Sequence, residues 1–505
     1  MTLSRPHLRP LNFLLISCYL GAISNGYISS LISALLSNPL FSSSMRISPL
    51  QLGLLTSAHS IGCIASFFPA PYVSERFGRR RAIQLGNVAM LAGFAGQIAS
   101  KSYIPFLLCR MWVGFASMFS TISAAALVIE LALPRQRSVA GALFNTCWFL
   151  GAIACAWTSF FCLKMHASEW SWRIPVAVQA VWAAAQVLLI YWCPESPVWL
   201  YRRSREAEAR AILVKYHADG NAEDVGVLVE IAHLAASTSS QPPTSPWSTL
   251  YSTPGHRRRL LISIIIGVST QWVRNGSSNM PEPDLRQYGR EFGISFYLAP
   301  VLATIGISSP LTQQSINGSL QIYTFVIAII SSLLSNVFGR RRLILTSTST
   351  MLLFMLLVTV FSYLYTSTAT PSYGIAVIIS LFLFFGGYVI GLTPIPILYV
   401  NEIWPAHIRT KGTSVFWVSQ AVAVCFNQFV NPIALQEIAW RYYLVYVGVL
   451  CAVIAFVWFL VPETKDLSLE EIGRMFDRGR GPEGEEVELA DVAGRRSGDL
   501  EEVRV

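Results

Sequence analysis

The chain has 505 residues, of which 53% are hydrophobic and only 13% are charged. Soluble proteins have about a quarter of charged residues, so this composition excludes an ordinary soluble domain and indicates a membrane protein. The net charge of +9 does not predict a nucleic-acid partner, because the basic residues are spread over separate loops. The sequence shows no phosphate-binding loop, metal-ligand spacing or nucleophile elbow, and therefore predicts no enzyme, no cofactor and no metal site.

Apolar runs of about 20 residues, the length that crosses a bilayer, follow one another along the chain. There are twelve such runs, which predicts an all-α membrane protein with twelve transmembrane helices. The seventh run is irregular and continues as far as residue 303. The runs lie at 12–34, 50–72, 82–100, 104–130, 138–161, 173–193, 259–276, 314–335, 343–365, 373–400, 411–434 and 441–461.

Three motifs occur twice, in the same order and at nearly equal spacing. Such colinear repeats indicate two pseudo-symmetric halves of six helices each. The repeated motifs are ERFGRRR at 75–81 with NVFGRRR at 336–342, Glu130 and Arg137 with Glu402 and Arg409, and PESP at 194–197 with PETK at 462–465.

The basic residues gather in alternate loops, which the positive-inside rule assigns to the cytoplasm together with both termini. After the sixth run, charged residues alternate with apolar ones at helical spacing, and a Ser/Pro-rich linker follows. The tail is rich in Gly, Glu and Arg, so we expect it to be largely disordered. The predicted domains are a first half at 1–193, a cytoplasmic loop with short amphipathic helices at 194–258, a second half at 259–461 and a cytoplasmic tail at 462–505.

Residues 277–293 interrupt the seventh run with five charged side chains, which hydrocarbon does not accept without partners. The sequence leaves two explanations open. The stretch is either a real polar insertion or a retained intron, since its removal joins Asn275 and Gly276 directly to the apolar residues Ile294 to Tyr297.

The motif set resembles the sugar porter family of the major facilitator superfamily. The resemblance rests on the R-F-G-R-R, E-x(6)-R and P-E-S-P type motifs and covers about residues 12–475. Segments 144–151, 171–175 and 426–433 more narrowly resemble the fungal lactose permease and cellodextrin transporter branch. This resemblance implies the major facilitator fold, a sugar as substrate, and two halves that expose a central site alternately to each side.

A hydroxyl-rich ligand needs carboxamides, which donate and accept hydrogen bonds, and aromatic faces on which to stack. Ile397 stands where hexose carriers of the family have a tryptophan, which argues mildly against a monosaccharide. The predicted substrate is a sugar, either a disaccharide or a hexose. The residues that the resemblance assigns to substrate binding are Asn145, Gln271, Asn275, Tyr297, Thr324, Asn427 and Asn431.

The resemblance also implies a cytoplasmic gate of ion pairs that holds the inner side shut. Single exposed pairs are worth only about 0–1 kcal/mol, so the pairs would act as one network. The alternative is that the arginines only fix the topology. The gate is predicted to pair Arg79, Arg80, Arg340 and Arg341 with Glu130, Glu195, Glu402 and Glu463, and to include Glu75, Arg137 and Arg409.

Proton-coupled members of the family have an aspartate after a Gly-Tyr pair in helix 1, close to an arginine of helix 4. Here Ile28 follows Tyr27, so Arg110 has lost that partner and either reaches the membrane surface or has a function of its own. His59 is the only histidine within a span, and it is either a coupling residue or a packed polar group. Because no span has a carboxylate at mid-depth, the sequence predicts facilitated diffusion instead of proton symport.

The predicted partners are the sugar and the lipid bilayer, and we expect a monomer in the plasma membrane. A sugar receptor that binds without transport is one alternative, although the tail of about forty residues is short for a signalling domain. An inactive paralogue is another, and Ile28, Arg274 and Asn336 support it as departures from the family pattern.

Overall fold

In the computed structural model the chain is almost entirely helical over the residues that the structure describes. The segment 277–293, Tyr297 and the tail from 478 onward lie outside these residues. The described residues are 9–36, 38–45, 49–133, 136–165, 168–239, 246–275, 310–368, 370–405, 407–438, 442–465, 467 and 469–477.

The second and fifth predicted spans of the first half are each divided into two helices. Pro69 begins the second helix of one such pair, a position where its missing amide hydrogen is tolerated. The other pair is divided at Cys147. The helices of this part are α1 (Arg9–Leu36), α2 (Pro39–Met45), α3 (Pro49–Ala65), α4 (Pro69–Phe77), α5 (Arg79–Ala99), α6 (Tyr103–Leu131), α7 (Arg137–Thr146), α8 (Trp148–Leu163) and α9 (Trp170–Ile190).

The tenth predicted span is also interrupted. One helix ends at Gly391 and the next begins at Ile395, beside Pro394 and Pro396, which break the backbone hydrogen-bond ladder as the sequence predicts. The remaining helices are α10 (Pro197–Arg202), α11 (Glu206–His217), α12 (Val225–Ser239), a short 3-10 helix (Trp247–Tyr251), α13 (Pro254–Asn275), α14 (Pro310–Phe338), α15 (Arg340–Thr368), α16 (Pro371–Gly391), α17 (Ile395–Ile403), α18 (Arg409–Ile438), α19 (Tyr442–Leu460) and α20 (Leu469–Asp477).

Each of the twelve predicted apolar runs coincides with helix in the structure. Within the described residues, eight helices are long and apolar enough to cross a membrane, and two shorter apolar helices accompany them. Only helices can span a bilayer as separate segments, because they satisfy every backbone polar group internally. The predicted all-α membrane protein is therefore confirmed, and the helix pattern is consistent with twelve spans.

Helices α1–α9 pack mainly on one another, and helices α13–α19 form a second set. Within the first set, Gly26 of α1 lies against α8, and a Cβ at this position would lie 1.9 Å from the carbonyl oxygen of Trp148. Small residues permit such close backbone contact between membrane helices. The two sets meet mainly where α3 packs on α18 and where α7 and α8 pack on α14.

Candidate functional site

A cavity of about 330 Å³ lies between the two sets of helices. This volume is within the range of about 300–1,000 Å³ typical of small-molecule sites. Aromatic side chains line part of it, including Trp148, Phe385 and Trp417. Carboxamides and hydroxyls donate and accept hydrogen bonds, so the cavity can hold a hydroxylated small molecule. Its amide and hydroxyl residues are Asn25, Ser29, Ser30, Ser33, Thr56, Ser60, Asn145, Gln271, Asn317, Gln321, Thr324, Tyr388, Thr393, Gln420 and Gln428.

Three of the residues predicted to bind substrate, Asn145, Gln271 and Thr324, line this cavity. Asn427 does not line it, because its side chain is buried against α13 and its Nδ2 donates to the backbone oxygen of Gln271 at 3.3 Å. Tyr297 and the side chains of two more predicted residues, Asn275 and Asn431, lie outside what the structure describes.

Sequence reasoning missed several polar residues of the cavity on α1. Asn25, Ser29 and Ser33 all line it. They are spaced four residues apart, which places them on one face of the helix. A polar stripe on a membrane helix is a signal that could have identified them, because polar side chains in a span face the bundle interior.

The two sets of helices are bonded to each other on one side of the cavity. We call this side the cassette end, because the basic segments 75–81 and 336–342, the cassettes, lie there. Glu75 Oε1 accepts from Thr410 Oγ1 at 2.7 Å, and its Oε2 lies 2.8 Å from Lys411 Nζ. Glu75 belongs to the first set and its two partners to the second. The contact therefore joins the two sets at this end of the bundle.

A second layer of bonds between the sets lies closer to the cavity. Asn145 Nδ2 of α7 donates to the backbone oxygen of Thr393, which precedes α17. At the next residue of the same helix, the Thr146 hydroxyl lies 2.7 Å from the Ser332 hydroxyl of α14. Because Asn145 and Thr393 also line the cavity, these bonds form its floor toward the cassette end.

The first cassette is held within its own set of helices. Arg79 is fully buried, and its Nε lies 3.2 Å from Glu130 Oε2. Its backbone amide donates to Glu195 Oε1 at 2.9 Å, and Ser196 Oγ donates to Glu130. Gly78 precedes Arg79 with φ +100°, and a Cβ there would lie 2.4 Å from a Glu195 oxygen. This glycine lets the carboxylate approach the start of α5.

The second cassette repeats this arrangement. Arg340 Nη2 lies 2.8 Å from Glu402 Oε1, and the Arg340 amide donates to Glu463 Oε1 at 2.8 Å. Thr464 Oγ1 donates to Glu402 Oε2 at 2.9 Å. Gly339 has φ +83° and lies against Glu463, as Gly78 lies against Glu195 in the first cassette. The repeated motifs thus form equivalent contacts in both sets.

Other predicted gate residues differ from the expected pairing. The guanidinium of Arg80 lies over the ring of Tyr191 at 5.3 Å, and Arg341 lies over Trp458 at 5.5 Å. Within the residues that the structure describes, only the backbone amides of these two arginines reach a glutamate. The expected side-chain ion pairs of Arg80 and Arg341 are therefore not formed, since aromatic faces hold both cations instead.

Arg137 and Arg409, the repeat-equivalent arginines, have different surroundings. Arg137 pairs with Glu230 of α12, whose other oxygen lies 2.9 Å from His217 Nδ1. Burial alone would favour the protonated form of Glu230, but the bond to His217 and the charge of Arg137 outweigh it and lower the pKa. Arg409 is 3% exposed, and its charge acts on Glu130 of the other set.

Two titratable groups of the cassette end have shifted pKa values because they are buried. Burial raises the pKa of Glu195, although the surrounding amide donors favour its charged form. Burial also lowers the pKa of His407 to about 4, and the nearby charge of Arg202 acts in the same direction. His407 is therefore neutral at pH 7 in this closed arrangement.

Arg110 and His59 both line the cavity at the other end of the bundle. Arg110 is 1% exposed, and its Nη2 donates to the backbone oxygen of Ile28 at 3.3 Å. His59 Nε2 lies 3.5 Å from Ser117 Oγ, and its Nδ1 lies 3.7 Å from Cys63 Sγ. Arg110 thus points into the protein, and its side chain does not extend to the outer surface of the helix bundle.

Two packed sets of membrane helices around a central polar cavity are an arrangement typical of membrane transporters. The model of the family described as "Sugar (and other) transporter" matches residues 15–283 and 285–476. The chain belongs to this family.

Known relatives are similar over most of their length. The MFS-type transporter oryC of Aspergillus oryzae is 26% identical over 84% of this chain and 77% of its own. Sugar transport protein 14 of Arabidopsis thaliana is 25% identical over 83% of this chain and 80% of its own. These matches confirm the predicted sugar porter family, whereas the lactose permease and cellodextrin transporter branch stays a prediction.

Among solved structures, the proton:xylose symporter XylE of E. coli bound to 6-bromo-6-deoxy-D-glucose has the same fold. The TM-score is 0.78 at 20% identity, over 92% of this chain and 99% of that chain. The predicted major facilitator fold is confirmed.

Proposed function

We propose that this protein transports a sugar across a membrane by alternating access. The observation that carries the proposal is the cavity, which both sets of helices line with amides and hydroxyls and which inter-set bonds close at the cassette end. Relatives named as sugar and hexose transporters support a sugar as the substrate class. A disaccharide or a hexose is the proposed substrate, and Asn145, Gln271 and Thr324 are proposed to bind it.

The proposed topology has both termini and the cassette end in the cytoplasm of a plasma-membrane protein that works as a monomer. The basic cassettes support this orientation through the positive-inside rule. Residues 1–193 and 259–461 are proposed to move as two bodies, joined by the loop 194–258 and followed by the tail 462–505. The conformation with bonded cassettes would then be closed to the cytoplasm.

Facilitated diffusion is the proposed energetics. A proton symporter needs a group that gains and loses a proton between the two states. The residues of the cavity that the structure describes include no aspartate or glutamate. His59 contacts Ser117 and Cys63, which suits a packed polar group.

Uptake of labelled lactose, cellobiose and glucose into a transporter-deficient yeast tests the proposal. We expect saturable uptake that persists after a protonophore is added, provided that cell energy is maintained. Gln271→Ala should raise KM about fivefold, since a lost hydrogen bond is worth about 1 kcal/mol. Ser319→Ala, an exposed position on α14, is the control and should leave uptake unchanged.

The other outcomes each contradict part of the proposal. Uptake that collapses with the protonophore would replace diffusion by proton symport. Binding of a sugar to the purified protein without any uptake would identify a receptor. Neither binding nor uptake of any sugar, with normal surface expression, would identify an inactive paralogue.

A further inference from the structure

Arg110 is a buried cation without a counter-charge in the described part of the chain. It lies seven residues into the 29-residue helix α6, about 10 Å from the helix start. Its side chain makes one hydrogen bond, to the backbone oxygen of Ile28, while Nε and Nη1 are buried and have no partner in the structure. Neither an aspartate nor a glutamate occurs among the described residues that line the cavity.

Such an arrangement is costly for the protein alone. Buried charges are normally paired, and an arginine at membrane depth faces a partner or a water-filled cavity. Arg110 is 1% exposed, so it does not reach solvent or headgroups by extending along the helix. Its two unpartnered nitrogens belong to a group that lines the central cavity. A ligand in that cavity is therefore in a position to supply the missing negative charge.

We propose that the protein binds and transports a hydroxylated carboxylic acid, such as a sugar acid, in preference to the neutral sugars considered above, because its carboxylate pairs with Arg110. This inference rests on the proposed transport function and specifies its substrate class. A planar guanidinium binds a planar carboxylate through two parallel hydrogen bonds. The hydroxyl groups of the same molecule would meet the polar stripe of α1, which includes Ser29 and Ser33.

The charge balance favours a carboxylate over a phosphate. The described cavity-lining residues include one arginine and no lysine. One guanidinium neutralises one carboxylate, whereas a phosphate monoester with about two negative charges at neutral pH would keep an excess charge in a closed site. The site thus suits a monoanion.

This pairing makes transport electrogenic. With the carboxylate bound, the site is neutral, and without substrate it carries the single positive charge of Arg110. Each complete cycle therefore moves one negative charge across the membrane in the direction of the substrate. A membrane potential acts on that charge, and about 60 mV changes the accumulation ratio of a monovalent ion by about tenfold.

The first test measures ligand binding by thermal shift of the purified full-length protein. Glucuronate and galacturonate are compared with glucose and galactose, because each pair differs in a carboxylate and a hydroxymethyl group. We expect the two acids to raise Tm at concentrations where the neutral sugars and chloride do not. Equal shifts for acids and neutral sugars, or shifts by chloride alone, would overturn the inference.

Variants assign the effect to Arg110. Arg110→Gln should abolish the acid-induced shift, and Arg110→Lys should retain part of it because the charge remains. Arg210→Gln changes an exposed arginine of α11 and should behave as the unmodified protein. A full acid-induced shift in Arg110→Gln would contradict the proposed contact. Should Arg110→Gln not fold, the comparison of Arg110→Lys with the unmodified protein still tests it.

The second test measures labelled glucuronate uptake into proteoliposomes under an imposed potassium diffusion potential. An interior potential of about +60 mV should raise accumulation about tenfold over zero potential, and the opposite potential should lower it by the same factor. A glucuronate accumulation ratio that does not change with the membrane potential would overturn the inference. If glucose, lactose or cellobiose is transported but no acid binds, only this inference fails; if neither neutral sugars nor acids bind or move, the proposed function fails as well.

Discussion

The contact of Glu75 with Lys411 offers the sharpest test of how the cassette end closes. The side chains of Lys411 and Glu75 are 5% and 4% exposed, so salt screens the pair little. Glu75→Gln keeps an acceptor for Thr410 but removes the counter-charge of a buried ammonium. Removing one partner of a buried pair costs about 3–5 kcal/mol. Because the hydrogen bond is retained, we expect the state closed at the cassette end to lose about 3 kcal/mol of stability. This shifts the equilibrium about 10²-fold toward the state open at that end.

Amide hydrogen exchange followed by mass spectrometry measures this opening. In Glu75→Gln and in Lys411→Met, peptides covering 407–415 should exchange faster than in the unmodified protein. The double variant should return toward the original rate, because a buried pair replaced by neutral groups leaves no uncompensated charge. Single variants that exchange at the original rate would refute the reasoning. So would a double variant whose increase in exchange rate equals the sum of the increases of the two single variants.

The second cassette supplies the matched control. Its equivalent position holds Asn336, and Val139 stands two residues after Arg137 as Lys411 stands two residues after Arg409. The equivalent positions, Asn336 and Val139, therefore cannot form a charge pair like that of Glu75 and Lys411. Glu75→Gln should therefore reduce uptake per surface-expressed protein more than Asn336→Asp does. Equal reductions would show that the asymmetry is unimportant.

Three further measurements test separate parts of the structure. Gly78→Ala should lower Tm and uptake more than Gly220→Ala, because both have positive φ but only the first would press a Cβ against Glu195. Tm should fall as pH decreases from 6.5 toward 4, because the unfolded state then binds a proton that buried His407 does not bind in the folded state. His407→Gln should make Tm depend less on pH over this range. Sequencing the transcript across codons 270–300 should either contain or lack the codons of 277–293, which separates an insertion from an intron.

The fold was predictable from the sequence because a bilayer permits few solutions. Each apolar run of the right length had to become a helix, and Pro394 and Pro396 had to interrupt one of them. The repeated cassettes predicted equivalent contacts for a similar reason. Arg79 with Glu130 and Arg340 with Glu402 lie at the ends of adjacent helices, where the motif spacing already places them together.

Contacts between the two sets were not predictable in the same way. Glu75 and Lys411 are 336 residues apart in the chain, and one sequence contains no information on which distant residues meet. The pairing that the resemblance implied for Arg80 is not formed, because the nearby ring of Tyr191 holds the same cation. Asn427 was assigned to substrate binding from the family resemblance, although the neighbouring Gln428 is the residue that lines the cavity.

The two kinds of contact at the cassette end have different consequences for a cycle of alternating access. The pairs Arg79–Glu130 and Arg340–Glu402 each lie within one set of helices, so they can persist while the sets separate. The bonds of Glu75 cross between the sets and would have to break in every turnover of the proposed cycle. We therefore expect substitutions of the internal pairs to lower stability before they change the opening equilibrium, whereas substitutions of Glu75 change the equilibrium first. Most of the predicted gate arginines would then hold each half together, and the closing energy would come from the bonds of Glu75 together with those of Asn145 and Thr146 between the sets.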